Sequence, residues 1–124
     1  MFPLFGGRRV RPNCAYEDIC CAQELWRKTY GRRAYHLVLS FDDLDAFVPS
    51  EAMEIAIRFS GLFFPTYQVL FGVHTEQAYL HIHFVINPVS LETGEKLHID
   101  FAELRQLQEE TNHIVEAYKA SVLG

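Results

Sequence analysis

Between Tyr35 and Phe41 the side chains alternate, with Tyr35, Leu37, Leu39 and Phe41 on one side and His36, Val38 and Ser40 on the other. A period of two predicts a strand with one buried face. Residues 67–74 and 80–89 are richer still in aromatic and branched side chains and predict two more strands. Thr75–Tyr79 between them suits a hairpin loop. Elsewhere the period is helical. Ala52, Ile55, Ala56, Phe59 and Phe63 follow Pro49, Ser50 and Glu51, predicting a helix over 50–64 closed by Gly61 and Pro65. Asn13 is placed to cap a helix over 14–30, with Ile19, Ala22, Leu25, Trp26 and Thr29 on one side and Gly31 as its stop. Asp100 and Glu103 open a third helix over 100–122, whose stripe is Phe101, Leu104, Leu107, Ile114, Val115 and Tyr118. Asp42, Asp43 and Asp45 read as a solvated turn. The class is α+β: a small antiparallel sheet with a central hairpin, packed against three helices.

Length and composition narrow the picture. The chain has 124 residues, room for one core, and its 49% hydrophobic and 22% charged residues are a globular balance. Residues 1–12, with three arginines, two glycines and two prolines, predict a flexible basic arm before a single domain over 13–124. A net charge of -5 argues against a protein that coats nucleic acid by bulk electrostatics. The charge is divided, however. Residues 1–36 carry seven basic against three acidic side chains, and residues 37–124 carry four against thirteen. Cys14, Cys20 and Cys21 form no CxxC pair, which excludes a zinc knuckle and fits reduced cytoplasmic thiols. The longest uncharged run, fifteen residues after Arg58, is too short and broken to span a bilayer. A cytoplasmic protein with no membrane partner is expected.

Three of the six histidines fall within ten residues, at His74, His81 and His83. On a strand, His81 and His83 share a face, while Leu80, Ile82, Phe84 and Ile86 share the other. Burial decides which side is the core, so the imidazoles are left on the open face. If Tyr67, Val69, Phe71 and Val73 face the core, the hairpin returns His74 beside His81, and Gly72 leaves space there. Three imidazoles from adjacent strands leave coordination positions open, the arrangement of a catalytic metal site. An accidental cluster of polar surface residues is the plain alternative. His98 and His113 fall outside the cluster, and His36 lies on the polar face of a neighbouring strand.

The run from His74 through His81-Ile82-His83 to Asn87 resembles the third motif of plasmid mobilisation relaxases of the MobA and VirD type, which are HUH endonucleases. Ala34–Phe41 resembles the strand before that family's second helix, Pro49–Ala52 the start of the helix, and Tyr67-Gln68-Val69 the approach to the motif strand. Asn87–Ser90 and Thr93–Lys96 resemble the segment that follows, so the likeness covers roughly 13–120. The resemblance implies metal-dependent, site- and strand-specific cleavage of single-stranded DNA at an origin of transfer, with accessory mobilisation proteins as further partners. It implies that His74, His81 and His83 hold Mg²⁺ or Mn²⁺, with Zn²⁺ a plausible occupant on imidazole ligands. Asn87 and His36 would act behind the ligands or on DNA, with buried structural use equally open for Asn87. Arg8, Arg9, Arg11, Arg32 and Arg33 would hold the phosphate backbone.

The family carries a nucleophilic tyrosine on an N-terminal strand, and Met1–Pro12 offers neither a tyrosine nor an apolar alternation. Tyr16 and Tyr30 are the nearest, both on the first predicted helix. The expectation is a relaxase-like domain with its metal histidines and without its tyrosine strand. A missing strand leaves a bare sheet edge, which predicts pairing with a second copy. Two other readings compete. One is a non-catalytic DNA- or partner-binding relaxase remnant. The other is a nucleotide hydrolase of the HIT type, which Tyr79–Val85 also resembles but in which His74 has no role.

Overall fold

The computed structural model describes residues 4–41, 48–76 and 79–123. In chain order these form β1 (Leu4–Arg8), a 3-10 turn (Pro12–Cys14), α1 (Ala15–Leu25), β2 (Tyr35–Phe41), α2 (Pro49–Phe63), β3 (Val69–Glu76), β4 (Tyr79–Ile86) and α3 (Phe101–Leu123). The four strands make one antiparallel sheet in the order β1-β3-β4-β2. The class is the α+β arrangement that the alternation predicted, with the β3–β4 hairpin at its centre.

Burial follows the period. Val69, Phe71 and Val73 of β3 and Leu80, Ile82, Phe84 and Ile86 of β4 are all buried on one face. Ala52, Ile55, Ala56 and Phe59 of α2 close over them, and the Phe59 and Phe84 rings lie 4.6 Å apart. Each such phenylalanine contributes about 1.5–3 kcal/mol by leaving water. Glu51 accepts the Val48 N–H at the start of α2. On α3 the buried positions are Thr111 and Val115, with Leu107 packed against the core. Phe101 is 89% exposed, so the predicted stripe begins one turn too early; the side chain of Tyr118 lies outside the described residues. Asp100 caps α3 by accepting the Glu103 N–H at 2.8 Å.

The N-terminal segment is the main correction. Residues 4–8 are not a loose arm: they form β1 and pair with β3, from Leu4 opposite Val73 to Arg8 opposite Val69. Gly6 lets the strand approach closely, because a Cβ there would stand 2.5 Å from the Phe71 ring and 3.0 Å from Met53. Two adjacent glycines weaken the strand signal and also permit the strand. The β3 edge expected to recruit a second copy is therefore occupied.

Helix α1 is shorter than the 14–30 predicted. It ends at Leu25, with Arg27 in the left-handed region at φ 56°. Lys28 N–H reaches the Gln23 carbonyl and Arg27 N–H the Glu24 carbonyl, a paired closure that glycine usually makes. Asn13 lies in the 3-10 turn and provides no side-chain cap. Leu25 is exposed, while Ala15, Ala22 and Gln23 are buried. The strand ends shift by about two residues from 67–74 and 80–89, and Glu76 pairs with Tyr79 in place of a five-residue loop. Asp42, Asp43 and Asp45 lie outside the described residues.

Candidate functional site

The second face of the sheet carries the histidines. Alternation and register arrange it in rows: His74, His81 and Ser40; then Gly72, His83 and Val38; then Leu70, Val85 and His36. The His74, His81 and His83 side chains are part-buried, as the sequence pattern predicts for a face left uncovered by α2 and α3. The His74 and His83 ring centroids are 4.8 Å apart, and those of His81 and His83 6.4 Å. Phe5 of β1 stands edge-on to His74 at 6.5 Å, its ring against Gly72.

Two of the three imidazoles are oriented from β2. Ser40 Oγ lies 3.1 Å from His81 Nδ1, and His36 Nε2 lies 3.1 Å from His83 Nδ1. The His36 and His83 rings are also stacked, with centroids 5.3 Å apart. A proton on Nδ1 of His81 and His83 is compatible with both contacts and leaves each Nε2 lone pair free to accept or coordinate. Three imidazole nitrogens each about 2 Å from one ion bring ring centroids to about 5 Å. His74 and His83 are near that separation, and His81 stands farther off. Among the described residues no three His, Cys, Asp or Glu side chains enclose a metal position as they stand. The three side chains are imidazoles on one sheet face, donors whose chemistry suits a divalent ion, and as they stand their rings do not close around one.

Asn87 is not available to DNA or to a metal. It is fully buried, its Oδ1 accepting from Gln23 Nε2 at 2.9 Å and from the Val89 N–H at 3.0 Å. Its Nδ2 donates to Gln68 Oε1 at 2.9 Å. This amide chain ties α1 to the histidine face of the sheet, because Gln68 and Asn87 continue the parity of His74 and His83. Gln23 and Gln68, which periodicity hid among helix and strand positions, are thus the residues that seat α1. His98 and His113 are exposed and away from the cluster, as expected.

The arginines expected to hold DNA are mostly engaged within the chain. Arg8 donates to the Pro65 carbonyl, Arg9 pairs with Glu92 at 2.9 Å, and Arg11 pairs with Asp18 at 2.6 Å. Arg32 lies over the Tyr35 ring at 4.6 Å. Arg33 donates to Gln23 Oε1 at 2.6 Å and to the Thr29 carbonyl at 3.1 Å. Bidentate hydrogen bonds from Arg11 hold the Asp18 carboxyl below its usual range. Of the two tyrosines, Tyr16 is exposed on α1 beside Leu70 and Val85, and so lies on the histidine side. Tyr30 lies beyond the other end of α1, where Lys96 stands over its ring.

No helix among the described residues is long and apolar enough to cross a membrane. Three curated proteins named "Protein rlx", from Staphylococcus aureus, are similar to this chain. One is 24% identical over 81% of the chain, a second 28% over 89%, and a third 35% over 58%. The chain covers 30%, 36% and 22% of their respective lengths, about a third or less of each. No solved structure matches it. A family model described as "Relaxase: MobA/VirD2-like, nuclease domain" matches residues 4–120, which leaves the HIT-type resemblance without support. The match takes in β1, the histidine hairpin and nearly all of α3, and the chain belongs to the MobA/VirD2-like relaxase nuclease-domain family.

Proposed function

We propose that this domain cleaves single-stranded DNA at an origin of transfer, using a divalent metal held by His74, His81 and His83. The observation that carries the reading is the three-histidine face, left open beside α1 and oriented from β2 by Ser40 and His36. Mg²⁺ or Mn²⁺ there would draw charge from a non-bridging oxygen of the scissile phosphate. The chain's own part is to present the Nε2 lone pairs and to hold the rings against rotation through their Nδ1 contacts. We assign the attack to Tyr16, the tyrosine on the histidine side. Its hydroxyl oxygen forms a bond to phosphorus and gives up its proton to solvent, the bond from phosphorus to the 3′ oxygen breaks, and that oxygen takes a proton from solvent in exchange. The strand is left joined through a 5′-phosphotyrosine. Work in the cytoplasm with accessory mobilisation proteins belongs to the same reading.

A second reading, binding without cleavage, has one observation in its favour. Phe5, which has no hydroxyl, is the β1 aromatic that stands against His74. Incubation with Mn²⁺ and end-labelled single-stranded oligonucleotides separates the two. The expected result is a metal-dependent covalent adduct that Tyr16→Phe abolishes. Nicking without an adduct would transfer the attack to water, and binding with no cleavage of any oligonucleotide would overturn the enzymatic reading. His81→Ala and His83→Ala are expected to lose Mn²⁺ binding in calorimetry.

A further inference from the structure

A cleft of about 400 Å³ opens between α1 and the sheet. Tyr16, Ile19 and Cys20 form its helix wall, Leu70 and Val85 its sheet wall, and Arg33 joins the lining. Two apolar walls and a volume at the small end of ligand pockets suit one flat heterocycle. Arg33 adds charge. Its guanidinium is fixed by Gln23 and Thr29, and no carboxylate among the described residues pairs with it. The cleft is also in a particular place. Leu70 and Val85 face each other two residues along their strands from Gly72 and His83. Two strand residues span about 7 Å, on the order of one nucleotide step in an unstacked single strand.

We propose that this cleft is a nucleobase subsite, taking the base next to the phosphate that the histidines hold. The walls cover the two faces of the base, and Arg33 meets the adjoining phosphate. The idea rests on the nuclease reading for the identity of the strand, but the cleft is tested without cleavage.

Cys20 lines the cleft, and its neighbour Cys21 is exposed, so the chain contains both a probe and a reference. Alkylation of each thiol by iodoacetamide is followed by mass spectrometry on the full chain. The additions are dT15, dA15, dC15 and a 15-unit backbone without bases. The expected result is a several-fold slowing at Cys20 with base-bearing oligonucleotides, no change at Cys21, and none with the bare backbone. Val85→Trp, which fills the cleft, is expected to weaken oligonucleotide affinity at least fivefold by fluorescence anisotropy. Cys20→Leu fills it from the helix side should the first variant not fold. Oligonucleotides that bind while the Cys20 rate stays unchanged would overturn the subsite and leave the nuclease reading standing. Protection by the bare backbone, or no binding by any oligonucleotide, would also overturn it. Base-dependent protection in a protein that never nicks would uphold the subsite and remove the nuclease.

Discussion

Asn87 shows how much one side chain can decide. The three polar contacts of its amide join a residue of α1, a residue before β3 and the backbone after β4. Asn87→Ala leaves Gln68 Oε1 and the Val89 N–H without the partner they have here, and Gln23 Nε2 with the Arg33 carbonyl alone. The expected loss is roughly 2–4 kcal/mol, measured as a lower urea midpoint with an unchanged slope. A loss within experimental error would mean that water replaces the amide. The sequence left two roles open, because Asn87 shares the parity of His81 and His83 and suits a buried structural amide equally well; the partners Gln23 and Gln68 decide for the second. Strand parity gives the face and says nothing of what covers it; α1 covers this end and leaves the histidine end open.

At the scale of elements, three strands and the pairing of β3 with β4 were readable, while β1 and the end of α1 were not. β2 falls on the residues its alternation predicts, because one face is buried and a slip by one residue would expose it. β1 escaped because Gly6 and Gly7 carry no side chain to alternate, although the close approach to Phe71 requires glycine. The end of α1 escaped for the opposite reason, since an arginine occupies the left-handed position where glycine is expected. The link between β1 and α1 is the Arg11–Asp18 pair, closed further by the Arg11 N–H to Asp18 Oδ2 at 2.8 Å. Because the folded Asp18 titrates below its unfolded value near 3.9, the pair stabilises the fold fully above that pH. The contribution fades as pH falls through the lowered folded value. Asp18→Asn is therefore expected to melt below the wild type at pH 7, with the gap closing under acid in thermal scans from pH 7 to pH 2. A gap independent of pH would show that the carboxylate charge is irrelevant.

For the molecule as a whole, net charge is a poor guide to its partner. The basic N-terminal third is real in the sequence, but Arg9 and Arg11 are paired with carboxylates and Arg8 is turned to a carbonyl. Few arginines are left to neutralise phosphate. Binding of a single strand is expected to show a shallow salt dependence, with log K against log salt falling at about -0.7 to -1.5, the slope for one or two phosphates. Anisotropy titrations with dT15 from low to moderate salt give that slope directly. A value steeper than about -3 would mean that the internal pairs open to receive DNA. The shared face of the histidines was the most legible part of the candidate site, because an HxH pair on an alternating strand can face only one way. The cleft and its arginine depend on where a helix lands, which no local pattern records.

One packing contact gives the molecule a built-in optical reporter. Trp26, the single tryptophan, lies at the end of α1 with its ring packed against Gly94, which adopts φ 72° and has no room for a Cβ. Fluorescence excited at the red edge of the aromatic band thus comes from one ring, at the junction between α1 and the loop that leads to α3. If α1 lifts from the sheet while the core stays closed, the emission moves to longer wavelength before the far-ultraviolet circular dichroism changes. Two transitions in place of one would separate the detachment of this helix from the unfolding of the domain, with no label attached.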